Sequence, residues 1–234
     1  MFENNNLWNL TGERSKLRKI YHLNSQVNEH FHSTLIKPIK GQKKWLPKES
    51  KHLHISNPKT EFEQLLVSRR SKRKVSGKPI TIEFLSKLLL YCAGVTNKEK
   101  GLFSYPSPGA TYPTSIFIKI KGHKFIYRYN PYEHNLEEYT DDLNNGSDEI
   151  MSDKSLVGFP VKLFLASDYQ LIDERYGEAS YRLTCLEMGH IGQNIMLYSH
   201  ENGYHSVCLG GYNELAFKSR IGDEYDLLYV IVVG

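Results

Sequence analysis

Residues 105–113, which we call the proline loop, restrict the possible folds of this chain more than any other stretch does. They contain three prolines and one glycine within nine residues. A proline has a fixed φ and no backbone N–H group, so a segment of this composition is neither a helix nor a central strand. We therefore predict a stiff loop, and its glycine lets another group approach the backbone closely.

Helical patterns precede this loop and strands follow it. Residues 61–68 carry apolar side chains at helical spacing, and a second helix is predicted to begin after Thr81 and to end at Gly94. After the loop, Ser115–Ile120 and residues 124–129 are mainly apolar runs on either side of a Gly-His pair. This arrangement predicts a β-hairpin.

The remaining elements complete the predicted order. We predict strands over residues 135–139, 161–166, 205–209 and 227–233, a long helix over 177–202 and a short helix over 213–218. Residues 141–155 are acidic and polar and are predicted to form a surface loop or a short helix. This order favours an α+β fold in which a mostly antiparallel central sheet is covered by helices.

Composition limits the class of protein. The 234 residues, 40% of them hydrophobic, can bury the core of one domain. No apolar run approaches the roughly 20 residues of a membrane span, and the N-terminus lacks the charged and apolar regions of a signal peptide. Three widely spaced cysteines, interpreted as small buried apolar residues, favour a reducing compartment. We therefore expect a cytoplasmic protein that does not enter a membrane.

The N-terminal quarter differs from the rest of the chain. We predict a basic extension over residues 1–58 and a folded domain over 59–234, since the first 80 residues hold 17 Lys or Arg and only six Asp or Glu. Such a basic part could meet RNA, an acidic peptide or a phosphate-bearing cofactor. Nucleic acid is not predicted, because the aromatic residues that base stacking needs are not interleaved with the basic ones.

Two histidine pairs in this extension resemble metal ligands only weakly. His30-x-His32 and His52-x-His54 could bind a metal if each pair lay on one strand and faced one way. We interpret them as surface histidines and predict no metal site.

Residues 69–74, which we call the basic run, place five cations around Ser71. Guanidinium groups bind phosphate oxygens through paired hydrogen bonds, and a serine hydroxyl adds a further donor. The basic run is therefore a candidate anion site. The alternative is a solvated, charged loop after a helix.

Three patterns, in this order, resemble the FMN-dependent nitroreductase superfamily. They are Arg69-Arg70-Ser71-Lys72-Arg73 after a helix, Pro106-Ser107-Pro108-Gly109-Ala110 in a loop, and Leu209-Gly210-Gly211 before the last strand. Further motifs, over about residues 60–234, are most similar to the McbC/SagB-like azoline dehydrogenases of thiazole/oxazole-modified peptide biosynthesis. These motifs are Pro-Ser-x-Gly-Ala-x-Tyr-Pro at 106–113, Tyr127-x-Tyr129-x-Pro131 with His134-x-Leu136-Glu137, and Tyr181-Arg182 with Glu187-x-Gly189-His190-x-x-Gln193-Asn194.

This resemblance implies a nitroreductase-like fold and a homodimer with FMN at the subunit interface. Arg69, Ser71 and Arg73 would hold the FMN phosphate. The isoalloxazine ring would lie against one loop supplied by the second subunit and against the backbone of a second segment. The loop residues are Pro106, Ser107, Gly109 and Ala110, and the backbone residues are Leu209, Gly210 and Gly211.

The resemblance also implies a reaction, the oxidation of a thiazoline or oxazoline ring in a ribosomally made precursor peptide to the aromatic azole. A base removes the Cα proton and a hydride passes to FMN. Family members carry a Lys-Tyr pair before the long helix, and Arg175-Tyr176 holds that place here. Tyr176 would be the base and Arg175 its electrostatic partner, because arginine keeps its proton in proteins. The alternatives are a weakened site and an exposed helix start.

A protein of this kind would bind a precursor peptide and the cyclodehydratase and docking proteins of a synthetase complex, in bacteriocin-type antibiotic biosynthesis. Two other hypotheses stay open. One is a general FMN nitro- or ene-reductase that uses NAD(P)H. The other is a non-catalytic scaffold subunit of the same complex, which the arginine at position 175 favours.

Overall fold

The computed structural model describes residue 18 and residues 20–22, 50–142 and 145–234. Within residues 50–142 and 145–234 the α-helices are α1 (Glu61–Ser68), α2 (Ile82–Ala93), α3 (Gln170–Tyr176), α4 (Ser180–Glu201) and α5 (Glu214–Ile221). Its strands are β1 (Val95–Asn97), β2 (Leu102–Phe103), β3 (Ser115–Ile120), β4 (Phe125–Asn130), β5 (Asn135–Asp141), β6 (Val161–Ser167), β7 (Ser206–Leu209) and β8 (Asp226–Val233).

Six strands form the central sheet in the order β5-β4-β3-β6-β8-β7, and every neighbouring pair is antiparallel. The predicted α+β fold with an antiparallel sheet is therefore confirmed. All seven residues of β6 are buried, which agrees with the central position that its continuous apolar sequence predicts. β1 and β2 form a separate two-stranded sheet.

Apolar side chains cover both faces of the central sheet. Ile118 of β3 packs in a cluster with residues of α2 and α4, whereas its neighbour Phe117 packs in a second cluster with residues of α5. Successive side chains on a strand point to opposite faces, so β3 contributes to both clusters. The helices therefore enclose the sheet from two sides, as the sequence predicts.

Local signals set the limits of α2. The Thr81 hydroxyl accepts a hydrogen bond from the Phe84 N–H group at 3.1 Å, and the helix ends at Gly94. Both limits agree with the prediction. The sequence also predicts an apolar face of this helix, and the structure buries it: Phe84, Leu85, Leu88, Leu89 and Cys92.

The 22-residue helix α4 crosses the sheet closely at Gly192. A Cβ atom at that position would lie 2.8 Å from the Tyr229 ring, so a larger residue would have to displace that side chain. A Cβ atom at Gly189 would meet nothing within 4 Å. The sequence predicts that both glycines let another backbone approach closely, and this prediction is wrong, because the close neighbour of Gly192 is a side chain and Gly189 has none.

Three other predictions need correction. Residues 170–176 form α3, which was not predicted, and residues 177–179 form a 3₁₀ turn ahead of α4. Cys185 is exposed rather than buried, because it lies on the outer side of α4. The segment 141–155 is not simply a surface loop, since Asp142, Ile150 and Met151 are buried.

The acidic side chain of this segment is buried because it pairs with a buried cation. The Lys119 ammonium lies 3.0 Å from Asp142 Oδ2, and the Ser147 hydroxyl donates to the same carboxylate at 2.6 Å. Lys119 comes from β3. Asp142 therefore fixes the chain after β5 to the sheet.

Among the described residues, no helix is both long and apolar enough to cross a lipid bilayer.

Candidate functional site

The backbone of the basic run lies beside β7 and the end of β8. The Lys72 N–H group donates to the Ser206 carbonyl at 3.1 Å, and Ser76 donates to the Gly234 carbonyl at 3.0 Å. His205 Nδ1 lies 2.7 Å from the Lys74 carbonyl, and its Nε2 lies 3.1 Å from the Lys72 ammonium. His205 therefore donates through Nδ1 and accepts through Nε2, and the run is held by its backbone and by Lys72.

The side chains of Arg69, Ser71 and Arg73 remain available to a ligand. Within the described part of the chain, none of the three has a hydrogen bond or an ion pair from its side chain, whereas the Arg70 guanidinium donates to the carbonyls of Val67 and Arg69. Three donors that are not committed to other groups suit an anion. The side chains of Arg70 and Lys72 are thus engaged within the protein, and the assignment of Arg69, Ser71 and Arg73 to a phosphate stays a prediction.

The proline loop is a loop, as predicted, with one 3₁₀ turn at Pro108–Ala110. Three of its residues have φ values in the left-handed region, namely Gly109 (57°), Ala110 (56°) and Tyr112 (46°). For residues other than glycine, such a backbone costs about 1–2 kcal/mol each. The surrounding structure must therefore hold the loop in place.

Glu187 of α4 lies close to both ends of the loop. The Thr114 hydroxyl donates to Glu187 Oε1 at 2.6 Å, and the Ser107 side chain lies near the same carboxyl group. Ser107 Oγ accepts from the Tyr112 N–H group at 2.9 Å. Glu187 is only 1% exposed, and burial raises its pKa although its contacts with Ser107 and Thr114 act in the opposite direction. The Ser107 hydroxyl is thus committed within the protein.

Arg175 and Tyr176 at the end of α3 lie against Gly109 of the loop. The Arg175 guanidinium donates to the Gly109 carbonyl at 2.8 Å. A Cβ atom at Gly109 would lie 2.6 Å from both Arg175 Cζ and the Tyr176 hydroxyl. The guanidinium also stands 5.6 Å from the centre of the Tyr176 ring. The structure therefore brings both candidate catalytic residues to the loop that was predicted to face the flavin.

The Leu209-Gly210-Gly211 segment follows β7. The Leu209 side chain is buried, and the Gly211 carbonyl accepts a hydrogen bond from the Ser152 hydroxyl at 2.6 Å. A Cβ atom at Gly210 would meet nothing within 4 Å. The open backbone at Gly210 is thus the part of this segment that is free to face a flat ligand.

Within one chain, the basic run and the proline loop contact α4 at different points. Ser68, next to the run, lies 2.9 Å from His200 Nε2, whereas Thr114, next to the loop, contacts Glu187. Positions 187 and 200 of a helix lie roughly 20 Å apart. The basic run and the proline loop are therefore not gathered into one pocket of a single chain.

Two contacts of the N-terminal extension were not predicted. Arg18 pairs with Asp173 of α3 at 2.6 Å and lies 4.0 Å from the centre of the Tyr169 ring. His22 lies 3.4 Å from Glu214. Both contacts join residues more than 150 positions apart, and no pattern in the sequence indicates such a pairing. The described part of the extension thus supports the helix that carries Arg175 and Tyr176.

The structure also brings three potential metal ligands together. Ligand atoms of His22, Glu214 and Asp226 lie within 4.8 Å of one another. The Lys218 ammonium already pairs with Asp226 at 2.9 Å and with Glu214 at 3.4 Å, so we interpret the cluster as an ion-pair network. Of the histidines considered earlier, His52 and His54 are exposed, and His30 and His32 lie outside the described residues.

Residues 66–234 match the Nitroreductase family, so the chain belongs to that family. A Methanocaldococcus jannaschii protein provisionally named a nitroreductase is 30% identical over 186 residues, with 74% of this chain and 90% of that protein covered. The shared fold is the nitroreductase-like fold that the resemblance implied, and family membership indicates an oxidoreductase.

Two solved structures are similar to the chain. One is a chain of the E. coli microcin synthetase McbBCD complex with truncated pro-MccB17 bound, with a TM-score of 0.74, 17% identity, and coverage of 99% of this chain and 98% of that chain. The other, provisionally described as a nitroreductase of Ralstonia eutropha, has a TM-score of 0.66, 21% identity, and coverage of 85% and 98%. At these identities the likeness establishes the fold alone.

Gly109→Ala tests the contact between the loop and α3. Gly101 also has a positive φ, but a Cβ atom there would meet nothing within 4 Å. We expect Gly109→Ala and Gly101→Ala to lower the free energy of unfolding similarly, by about 1–2 kcal/mol. Only Gly109→Ala should also lower activity, because it displaces the mobile ends of Arg175 and Tyr176. Thermal unfolding measures the effect on stability, and the rate at which each variant turns over its substrate measures the effect on activity. Equal rates for the two variants would contradict this role of the contact.

Proposed function

We propose that the protein is an FMN-dependent dehydrogenase that oxidises thiazoline or oxazoline rings to thiazole or oxazole in a ribosomally made precursor peptide. The contact of Arg175 and Tyr176 with Gly109 carries the proposal. It joins the pair that resembles the family's catalytic pair to the loop that resembles the family's flavin loop. The fold shared with a chain of the McbBCD synthetase complex supports the same assignment.

The described residues fit FMN. The free donors of Arg69, Ser71 and Arg73 suit a phosphate, as guanidinium groups bind its oxygens in pairs. The exposed Pro106, Gly109 and Ala110 and the open backbone at Gly210 suit a flat ring. FMN, when bound, accepts the hydride from the substrate ring.

Tyr176 would take the Cα proton of the azoline at its phenolic oxygen. Its hydroxyl lies at the surface of the proline loop, next to the place proposed for the ring. The Arg175 guanidinium, held by the Gly109 carbonyl at 2.8 Å, places a positive charge 5.6 Å from the centre of the Tyr176 ring. The substrate loses one proton and one hydride, so its ring becomes aromatic.

A homodimer would complete this site. The separation of the basic run from the proline loop along α4 suits a site whose two parts come from different subunits. No residue of α1 is buried, and Phe62, Leu66 and Val67 of this helix are exposed. Apolar side chains of this kind are available for burial between subunits. A precursor peptide and the cyclodehydratase and docking proteins of a synthetase complex are the other proposed partners.

The phosphate site is tested by replacing its arginines. We expect Arg69→Ala combined with Arg73→Ala to raise the Kd for FMN by at least about 100-fold, because each of the two lost charge-assisted hydrogen bonds is worth about 1.5–3 kcal/mol. The matched control, Arg70→Ala with Lys74→Ala, removes the same charge from the same run and should change the Kd by less than about threefold. Flavin fluorescence titration measures both values. Equal loss in the two double variants would show only a general effect of charge.

The general reductase hypothesis rests on the M. jannaschii relative and its name. The two activities are separated by offering the flavin-loaded protein an azoline peptide and, in parallel, NAD(P)H with a nitroaromatic compound. The proposal expects azole formation. NAD(P)H oxidation without azole formation would favour the general reductase.

A further inference from the structure

A cleft of about 440 Å³ lies beside the proline loop and has no role in the chemistry described above. Four segments form it, namely Phe103 of β2, the end of the loop with the start of β3, the end of β4 with the turn to β5 and Glu137, and the start of α3 with Asp168 before it. Its volume is in the range of ligand sites. The cleft brings together the loop motif and the Tyr127–Glu137 hairpin motif, which are separate in sequence.

Aromatic rings form one wall of the cleft. The rings of Phe103 and Tyr112 stack with centres 3.9 Å apart, and Tyr132 meets Phe103 edge-on at 5.7 Å. Tyr132 is 61% exposed, and Leu171, which also lines the cleft, is 65% exposed. Large apolar side chains that are rigidly backed yet exposed are typical of binding surfaces.

Polar groups with donors and acceptors complete the lining. Arg128 supplies a guanidinium, and Glu137 and Asp168 supply carboxylates. Asn130 donates to one Glu137 oxygen at 2.7 Å, and the Gln170 N–H group donates to Asp168 Oδ1 at 3.1 Å. Each carboxylate keeps further acceptor capacity. Peptide N–H and C=O groups match such a mixed set, and aromatic-lined grooves bind extended peptides in other proteins.

Backbone strain is concentrated around the same cleft. The described residues other than glycine with a positive φ are Ala110, Tyr112, His134, Asn145 and Tyr169. All but Asn145 lie in or next to the segments that form the cleft. The side chain of His134 is fixed by the hydroxyls of Tyr129 and Ser86, both at 2.9 Å. Strained residues that their surroundings hold firmly are concentrated at functional sites, which agrees with a binding role for the cleft.

We infer that this cleft binds an extended stretch of peptide next to the ring that is oxidised. The inference rests on the proposed function and adds to it a surface for the substrate chain. A ring held at Tyr176 leaves a chain that must continue across the protein. The cleft begins at Thr111, two residues after the glycine that Tyr176 contacts.

The test replaces the two exposed apolar side chains of the cleft. Tyr132→Ala with Leu171→Ala is compared with Tyr91→Ala with Leu215→Ala, since Tyr91 (55% exposed) and Leu215 (81% exposed) do not line the cleft. The probe is a fluorescein-labelled pool of nonapeptides with a central thiazoline and mixed flanking residues. Fluorescence anisotropy on the full-length protein should give a Kd at least tenfold higher for the cleft variant and within twofold of wild type for the control.

Flavin content and azole formation are measured on the same samples. Equal Kd values for the cleft variant and its control, or no binding of the pool by the wild type, would overturn the inference. Failure of the proposed function has a different signature. In that case the wild type would leave the thiazoline unoxidised, whether or not binding depends on Tyr132 and Leu171.

Discussion

Tyr176→Phe is expected to slow azole formation by roughly 10²–10⁴-fold, the usual contribution of a positioned acid or base. The substitution keeps the ring beside Arg175 and removes only the oxygen that faces Gly109. The Kd for FMN and the free energy of unfolding should stay unchanged, so the loss should fall on kcat. The measurement is single-turnover oxidation of an azoline peptide, with peptide mass as the readout.

A matched control is Tyr91→Phe, which alters a tyrosine that is 55% exposed on α2. It should oxidise the peptide at the wild-type rate. Arg175→Lys, which restores the family's pair, should retain activity because a lysine also supplies a cation. If Tyr176→Phe oxidised the peptide as fast as the wild type, Tyr176 would not be the base. If the variant oxidised the peptide at the wild-type rate only together with the other proteins of the complex, the scaffold hypothesis would gain support.

Asp142→Asn is expected to lower the free energy of unfolding by about 3–5 kcal/mol, because it leaves the buried Lys119 ammonium without its counter-charge. The side chains of both residues are at most 3% exposed, and their charged atoms are 3.0 Å apart. The substitution also weakens the hydrogen bond from the Ser147 hydroxyl. Chemical denaturation measures the change.

The neighbouring residue provides the control. Asp141 pairs with Lys124 at 3.2 Å, but these side chains are 44% and 51% exposed. Asp141→Asn should therefore cost less than about 1 kcal/mol. Similar losses of unfolding free energy in the two variants would show that the buried Lys119–Asp142 pair stabilises the fold no more than the exposed pair does.

The same pair predicts sensitivity to acid. Burial alone would raise the pKa of Asp142, but hydrogen bonds from Ser147 and Lys119 outweigh it, so the pKa is lowered in the folded protein. A lowered pKa stabilises the fold at pH values above the unfolded value, roughly 3.9. This contribution is lost as the pH falls through the lower folded value. In Asp142→Asn, this part of the acid dependence should be absent.

The sequence predicts those parts of the fold that local signals determine. The hydroxyl of Thr81 and the glycine at position 94 set both ends of α2, and the apolar run of β6 predicts a central strand. Helix α3 was missed because it has seven residues and only Ile172 of them is buried. Part of its support comes from Arg18 through Asp173, a pairing that no local pattern reveals.

The candidate site shows the same limit. The motifs single out Gly109 and the Arg175-Tyr176 pair separately, but their contact spans 66 positions and required the folded structure. Glu187 was noticed only as part of a helix motif. Its burial near Ser107 and its hydrogen bond from Thr114 depend on how distant segments pack together.

The central claim, that the protein oxidises azoline rings with FMN, is tested most directly under anaerobic conditions. Full-length protein loaded with FMN is mixed with a peptide that carries one preformed thiazoline. The account predicts that the visible absorption of the oxidised flavin disappears while the peptide loses the mass of two hydrogen atoms, in equal molar amounts. A flavin that stays oxidised beside a peptide of unchanged mass would contradict it.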